Sequence, residues 1–257
     1  MREDSGRTSG FDGIFWGRNS VLELLASGRD IDKIYVQKGA VEGSIKVIVG
    51  KASARRIPIV ETDRARLDSI SGGAVHQGVA ASVPETVYAT LDDLFAAADK
   101  KNETPFFVVC DCINDPHNLG AIIRTAECAG AHGVIIPKHR SVSLTSTVAK
   151  SSAGALFRIP VARVGNIAAA IGELQSRGVW VYALEANGKP YFGEKFDDSG
   201  IAFVLGSEGE GVSRIVKEKS DFILSIPMYG ELNSLNVSAA AAVMLFEAAR
   251  QRHGEGV

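Results

Sequence analysis

The sequence predicts an α/β protein in two units, the second built on a mostly parallel sheet covered on both faces. Short apolar runs alternate with amphipathic stretches along the chain, the order expected of strand–helix–strand units. A polar stretch around residues 85–103 separates an early set of these elements from a later one. A composition of 46% hydrophobic and 23% charged residues over 257 positions is that of a globular chain with room for two modest domains.

Residues 1–10 are polar and glycine-containing, without the apolar centre of a secretory signal, and read as a flexible tail on a cytoplasmic protein. Residues 11–84 then form a small domain. Val21, Leu22, Leu24 and Leu25 predict a helix over 18–27 ended by Gly28, followed by a strand over 31–37. A helix near 44–56, a strand-like 57–60, a short helix over 64–70 and a strand over 78–83 closed by Pro84 complete it. Residues 85–103 are expected as the linker, with Thr90 capping a helix that carries Leu91, Leu94 and Phe95.

The second domain, 104–257, alternates strands and helices. Strands are predicted over 106–113, 134–137, 159–164, 179–184, 201–205 and 222–226. Helices are predicted over 119–129, 167–176, 212–217 and 237–250, with a Ser/Thr-rich helix running toward Ala155. No internal repeat stands out.

Several function classes drop away. No apolar run approaches the ~20 residues of a membrane-spanning helix. Cys110, Cys112 and Cys128 suit neither a disulfide framework nor a CxxC pair and read as buried, reduced thiols. The five histidines are scattered, so no metal is expected. A formal net charge of −2 does not hold nucleic acid by its overall field, so any RNA contact is local. Lys46, Lys51, Arg55 and Arg56, with no acid between them and Arg64 and Arg66 beyond, are the candidate patch; a solvated helix face is the plain alternative.

Three blocks carry candidate chemistry. In the first, a strand end runs through Asp115-Pro116-His117-Asn118-Leu119-Gly120 into a helix, the place where open α/β sheets bind ligands. Arg124 lies one turn into that helix, where the dipole mildly disfavours a cation; an i,i+3 pair with Glu127 would explain it without function. In the second, Gly206-Ser207-Glu208-Gly209-Glu210-Gly211 follows an apolar strand. Its glycines admit a ligand to the backbone, but its carboxylates disfavour a pyrophosphate, so a cofactor without phosphate fits better. In the third, a strand breaks at Pro227 and passes through Met228 to Ser234-Leu235-Asn236, where Ser234 or Asn236 caps an alanine-rich helix.

In this order and spacing the blocks resemble the SpoU (TrmH) branch of the SPOUT methyltransferases over residues 105–251. Phe15-Trp16-Gly17-Arg18-Asn19-Ser20-Val21 and His76-Gln77-Gly78-Val79 are similar to the ribosomal-protein-like substrate-binding domain that precedes it. The resemblance implies transfer of a methyl group from S-adenosylmethionine to a ribose 2'-hydroxyl of RNA. It also implies a deep trefoil knot, which fold rules alone would have excluded, and a homodimer that completes the active site. Asp115 to Gly120 and Ile226-Pro227-Met228 are most similar to the enzymes acting on a guanosine in the peptidyl-transferase P loop of 23S rRNA. The same reaction on tRNA or another rRNA loop, and a non-catalytic rRNA assembly factor, are the alternatives. By the family's pattern, Leu184, Gly206, Ile226, Met228 and Leu235 hold the cofactor, and Arg124, Asn118, Glu208, Ser234 and Asn236 form the catalytic and orienting set. Arg18, Lys51, Arg55 and Arg56 are the expected RNA contacts. The family's usual assignment of the arginine as base conflicts with a guanidinium that stays protonated in proteins; a clamp on phosphate and developing alkoxide is the second version.

Overall fold

A computed structural model describes residues 13–40, 42–83, 88–196 and 199–254; the expected tail over 1–10 lies outside them. The chain divides into two compact units.

In the first unit, β1 (Ile14–Trp16), α1 (Arg18–Ala26), β2 (Lys33–Gln37), α2 (Ser44–Ala54), β3 (Ile59–Thr62), α3 (Arg64–Ile70) and β4 (Val79–Ser82) follow one another. The strands form a sheet in the order β1-β4-β2-β3, in which only β2 and β3 run parallel. Helical spacing puts Val21, Leu24 and Leu25 of α1, and Ile45, Ile48 and Ala52 of α2, on buried stripes. Leu67 and Ile70 of α3 pack on Ala80, with Ile14, Trp16 and Tyr35 around them. Strand β1, too short to show a period of its own, is not legible in the sequence.

Next comes α4 (Leu91–Lys101), within the stretch expected as a linker. It is part of the second unit. Thr90 Oγ1 accepts from the Asp93 N–H at 3.2 Å while Asp93 Oδ2 accepts from the Thr90 N–H at 2.8 Å, a reciprocal cap that satisfies donors left over at the helix start. Leu94 and Phe95 join a core with Phe107, Val109, Ile171 and Val181, and Phe95 meets Phe107 edge-on at 5.1 Å.

The chain continues with β5 (Phe106–Cys110), α5 (Pro116–Cys128), β6 (Gly133–Pro137) and α6 (Ser146–Ser151), followed by a 3-10 turn at Ala155–Phe157. It ends with β7 (Val161–Val164), α7 (Ile167–Ser176), β8 (Val179–Pro190), β9 (Gly200–Leu205), α8 (Arg214–Lys219), β10 (Phe222–Ser225) and α9 (Val237–His253). Six strands pair in the order β10-β8-β9-β5-β6-β7, every neighbour parallel. Central β5 and β9 are buried throughout, as a sheet covered on both faces requires.

By their contacts residues 144–157, within the 104–257 expected as the second domain, group with the first unit. Phe157 packs edge-on against Phe15 at 5.1 Å, and Arg29 stacks over Phe157 at 5.6 Å while donating to the Leu156 carbonyl. Gly154 is pressed against Glu23, where any side chain would collide.

The ladder between β8 and β10 breaks register. Strand β10 pairs Ile223 with Ala183, yet its next residue, Leu224, pairs with Lys189. The intervening residues of β8 bow out of the ladder, and Gly188 is the only residue type that fits where the strand recrosses the Leu224 backbone.

Candidate active site at the strand ends

The bow of β8, the loop after β9 and the segment after β10 line an open cavity of about 570 Å³. Leu184, Glu185 and Ala186 come from the first, Leu205 to Gly211 from the second, and Ile226, Met228 and Asn233 to Asn236 from the third. All lie at the carboxyl ends of parallel strands, where α/β sheets place ligands.

The glycine-rich loop is tied down from several directions. Ser207 and Gly211 exchange backbone hydrogen bonds at 3.1 and 3.0 Å, closing the loop on itself. Gly206 packs so tightly under the Gly211–Val212 backbone that a Cβ there would collide with it. Gly209 and Gly211 have φ of +92° and +69°, which side chains rarely adopt. Two acids that sequence reasoning passed over hold the far side. Glu185 Oε1 accepts from the Val212 N–H at 2.6 Å, with the Lys217 ammonium 3.3 Å from Oε2. Asp111, buried just past β5, accepts from the Ser213 N–H at 2.8 Å through Oδ2. The available signal was an acid set immediately beyond an apolar strand, which nothing else in the strand explains.

Asn236 both caps α9 and reaches two distant side chains. Its Oδ1 accepts from the N–H groups of Ser238 and Ala239 at 2.9 and 3.4 Å, capping α9. Its Nδ2 donates to Glu208 Oε1 at 2.6 Å and to Asn118 Oδ1 at 3.0 Å. Asn118, buried on α5, donates in turn to the same Glu208 oxygen at 3.0 Å. Three residues separated by up to 118 positions thus form a closed triangle at the cavity wall. Glu208 Oε2 has no donor among the described residues.

Of the expected cofactor residues, Leu184, Gly206, Ile226, Met228 and Leu235 all line the cavity, and Ser234 lies beside them. Arg124 does not: it is exposed on α5 and is not among the lining residues. The expected RNA contacts also separate. Arg55 gives its guanidinium to the carbonyls of Leu25, Gly28 and Arg29 at 2.8, 3.2 and 2.6 Å, a structural duty at the end of α1. Lys51 and Arg56 are exposed, and Arg18 is anchored on Gln77. Cys110 is buried, its thiol pushed up to about 12 chiefly by desolvation, whereas Cys112 is half-buried and Cys128 is exposed rather than buried as expected.

The lining holds apolar side chains, the neutral polar Ser207, Asn233, Ser234 and Asn236, and three carboxylates, Glu208, Glu210 and the Lys217-paired Glu185, with no lysine or arginine. Such a wall repels phosphate and suits a cation with an apolar body. Among the described residues no cluster of His, Cys, Asp or Glu is arranged to hold a metal, and no helix is long and apolar enough to cross a membrane.

Comparison with known proteins agrees with this chemistry. Residues 105–246 match the SpoU rRNA Methylase family, and residues 14–89 match the domain described as RNA 2'-O ribose methyltransferase substrate binding. The chain is 45% identical over 240 residues to YacO of Bacillus subtilis (strain 168), named for the TrmH family of tRNA/rRNA methyltransferases, covering 93% of this chain and 96% of that one. It is 43% identical to a similarly named protein of Staphylococcus haemolyticus, covering 95% and 98%. An AdoMet-bound rRNA methyltransferase from Sinorhizobium meliloti superposes with a TM-score of 0.75 at 26% identity, covering 92% of this chain and 86% of that one. At 22% identity and a TM-score of 0.76, covering 93% and 89%, the SpoU methyltransferase AviRb of Streptomyces viridochromogenes shares the fold. The chain belongs to the SpoU (TrmH) family of RNA ribose 2'-O-methyltransferases.

Proposed function

We propose that this enzyme, which uses S-adenosylmethionine to methylate a ribose 2'-hydroxyl of RNA, acts on a guanosine in the P loop of 23S rRNA, in a ribosome precursor or free. The observation that carries the chemistry is the triangle of Asn118, Glu208 and Asn236 at the wall of an acid-lined, cation-free cavity. S-adenosylmethionine supplies the methyl group and a sulfonium cation. The backbone and apolar side chains of Leu184, Gly206, Ile226, Met228 and Leu235 fit its adenosine, while the cavity carboxylates suit its positive charge.

In this reading, Asn118 and Asn236 fix Glu208, and Glu208 with Ser234 orients the ribose hydroxyl, so that the cost of alignment is met before reaction. Arg124 acts as an electrostatic clamp on phosphate and developing alkoxide rather than as a base, because a guanidinium does not give up its proton. Its exposure outside the cavity supports a homodimer in which it serves the site of the second copy. Mixed dimers of Arg124→Ala and Asn236→Ala chains should then recover part of the activity that each homodimer lacks; no recovery would place Arg124 in its own site. The trefoil knot and a cytoplasmic location belong to the same proposal.

A second substrate is favoured by the names of the relatives, which cover tRNA as well as rRNA. Incubation with methyl-labelled S-adenosylmethionine and unmodified 23S rRNA or bulk tRNA, followed by mapping of 2'-O-methyl groups, decides between them. Label at a P-loop guanosine is the expected result. Label in tRNA alone would move the substrate. RNA binding without any label would support a non-catalytic assembly factor.

A further inference from the structure

We infer that one end of the first unit is a built phosphate-binding surface, anchored by Arg18 and flanked by Lys38 and Lys46, that grips the backbone of the RNA substrate. The inference rests on the RNA methyltransferase reading above and locates its footprint, away from the Lys51 to Arg56 end of α2 that the charge pattern alone suggests.

Arg18 opens α1. Its Nε donates to the Gln77 carbonyl at 3.1 Å, and its backbone N–H donates to Gln77 Oε1 at 3.0 Å. A carbonyl fixes a guanidinium without neutralising it, and among the described residues Arg18 has no ion pair. By contrast, Arg64, Arg177, Arg214 and Arg250 each pair with a carboxylate.

The partner is itself held in place. Gln77 has φ of +54°, a conformation costly for a residue with a side chain. His76, buried beside it, accepts from the Gly78 N–H through Nδ1 at 3.0 Å and meets Asp68 through Nε2 at 3.0 Å. Buried His76, with the half-exposed Asp68 behind it, therefore backs a strained peptide whose carbonyl and side chain both hold Arg18. Helix α1 alone does not need such a device.

The surroundings leave the cation open. Gly43, whose φ of +60° favours glycine, lies beside the guanidinium: a Cβ there would sit 3.9 Å from Arg18 Nη1. Lys38 leaves β2 just beyond Gln37, whose N–H bonds the Gly78 carbonyl at 2.9 Å. Lys46 lies in the first turn of α2, and both lysines are exposed. The last residue of α2, Ala54, lies about 12 Å further along at 1.5 Å per helical residue, with Arg56 beyond it. Glu42, just before that turn, is exposed, and Asp68 is already engaged by His76.

Anisotropy of a fluorescein-labelled RNA hairpin carrying the P loop, measured from about 50 to about 200 mM salt and paired with steady-state methyl transfer, tests this. Arg18→Ala, and separately Lys38→Ala/Lys46→Ala, should weaken binding about tenfold and flatten the salt slope by about one per charge removed. KM for RNA should rise while kcat stays within about twofold, and Arg18→Lys should restore part of the loss, having the charge without the fork. The lysine pair leaves the Gln77 anchor intact, so a folding defect in Arg18→Ala does not decide the result. Binding that survives these changes, or that is lost instead in Lys51→Ala/Arg56→Ala, overturns the footprint while methyl transfer stands. A wild-type chain that neither binds the hairpin nor transfers a methyl group overturns the reading beneath it as well.

Discussion

At Asn236 two roles share one side chain, and they separate by atom. The carbonyl oxygen caps α9, and the amide nitrogen binds Glu208 and Asn118. Serine at this position keeps a capping oxygen but removes the nitrogen, whereas alanine removes both. Asn236→Ala should therefore lose about 1 kcal/mol of stability, the usual worth of a cap, and Asn236→Ser only a few tenths. Methyl transfer should fall about a hundredfold or more in both, the size of effect seen when one positioned donor is deleted from a polar site. Denaturant melts beside initial rates check this, and activity that tracked stability across the pair would reduce Asn236 to a cap. Local pattern shows the residue only as a helix start, and the family resemblance alone puts it in the catalytic and orienting set. Its second role depends on Asn118, 118 positions away, coming within 3.0 Å, which no local pattern encodes. Glu185 and Asp111 escaped notice for the same reason, since their partners Val212 and Ser213 lie 27 and 102 positions distant.

The elements themselves were legible wherever a period repeats often enough to show: α1, α2, α7 and α9 sit within a few residues of expectation, and so do the buried strands β5, β6 and β9. The bow in β8 was not, because it comes from a change of register against β10. The carbonyl partners of Arg55 were not legible, because a basic residue after a helix looks the same whether it faces solvent or a neighbouring helix end. Arg55→Ala should destabilise the first unit by about 1–3 kcal/mol through three orphaned carbonyls, with RNA affinity changing less than twofold once folded protein is compared with folded protein. The opposite pattern, full stability with weakened RNA binding, would return Arg55 to the RNA contacts. His132 gives a pH signature at the joint between α5 and β6. Its Nδ1 accepts from the Phe106 N–H at 3.1 Å, and its Nε2 meets Glu103 at 3.0 Å. Burial lowers its pKa, with Glu103 pulling partly the other way. The folded chain then binds fewer protons than the unfolded chain, so this contribution is intact above the ordinary imidazole value of about 6.5 and drains away as pH falls through it toward the folded pKa. Between about pH 7 and about pH 5, Tm should drop more steeply in the wild type than in His132→Asn, which keeps an acceptor for the Phe106 N–H. Equal slopes would show that other groups carry the acid sensitivity.

For the molecule as a whole, the two compact units are not each one continuous stretch of chain. It passes from the first unit into the second near residue 88, returns for residues 144–157, and leaves again at Arg158. The shift in composition at 85–103 suggests a boundary there, but composition carries no record of which core a later segment joins. Inside the first unit that segment buries Val148, Ala149, Leu156 and Phe157, and Phe157 is further held by Phe15 and Arg29. A truncated chain starting at Tyr88 keeps these side chains but deletes the partners that cover them. At roughly 1.5–3 kcal/mol for each large apolar side chain returned to water, the segment has no reason to stay folded and offers a sticky surface instead. Such a chain should bind a hydrophobic dye and self-associate, and it should melt less cooperatively than the intact protein, while Leu156→Ser/Phe157→Ser in the same truncation should suppress the self-association. In the full chain the same double change should instead destabilise the first unit, because there it empties a filled core. Sedimentation and thermal melts of the four proteins decide the matter: a truncated chain that is monomeric and free of dye would show that residues 144–157 find cover within the second unit and that the cut at 85–103 is a true domain boundary.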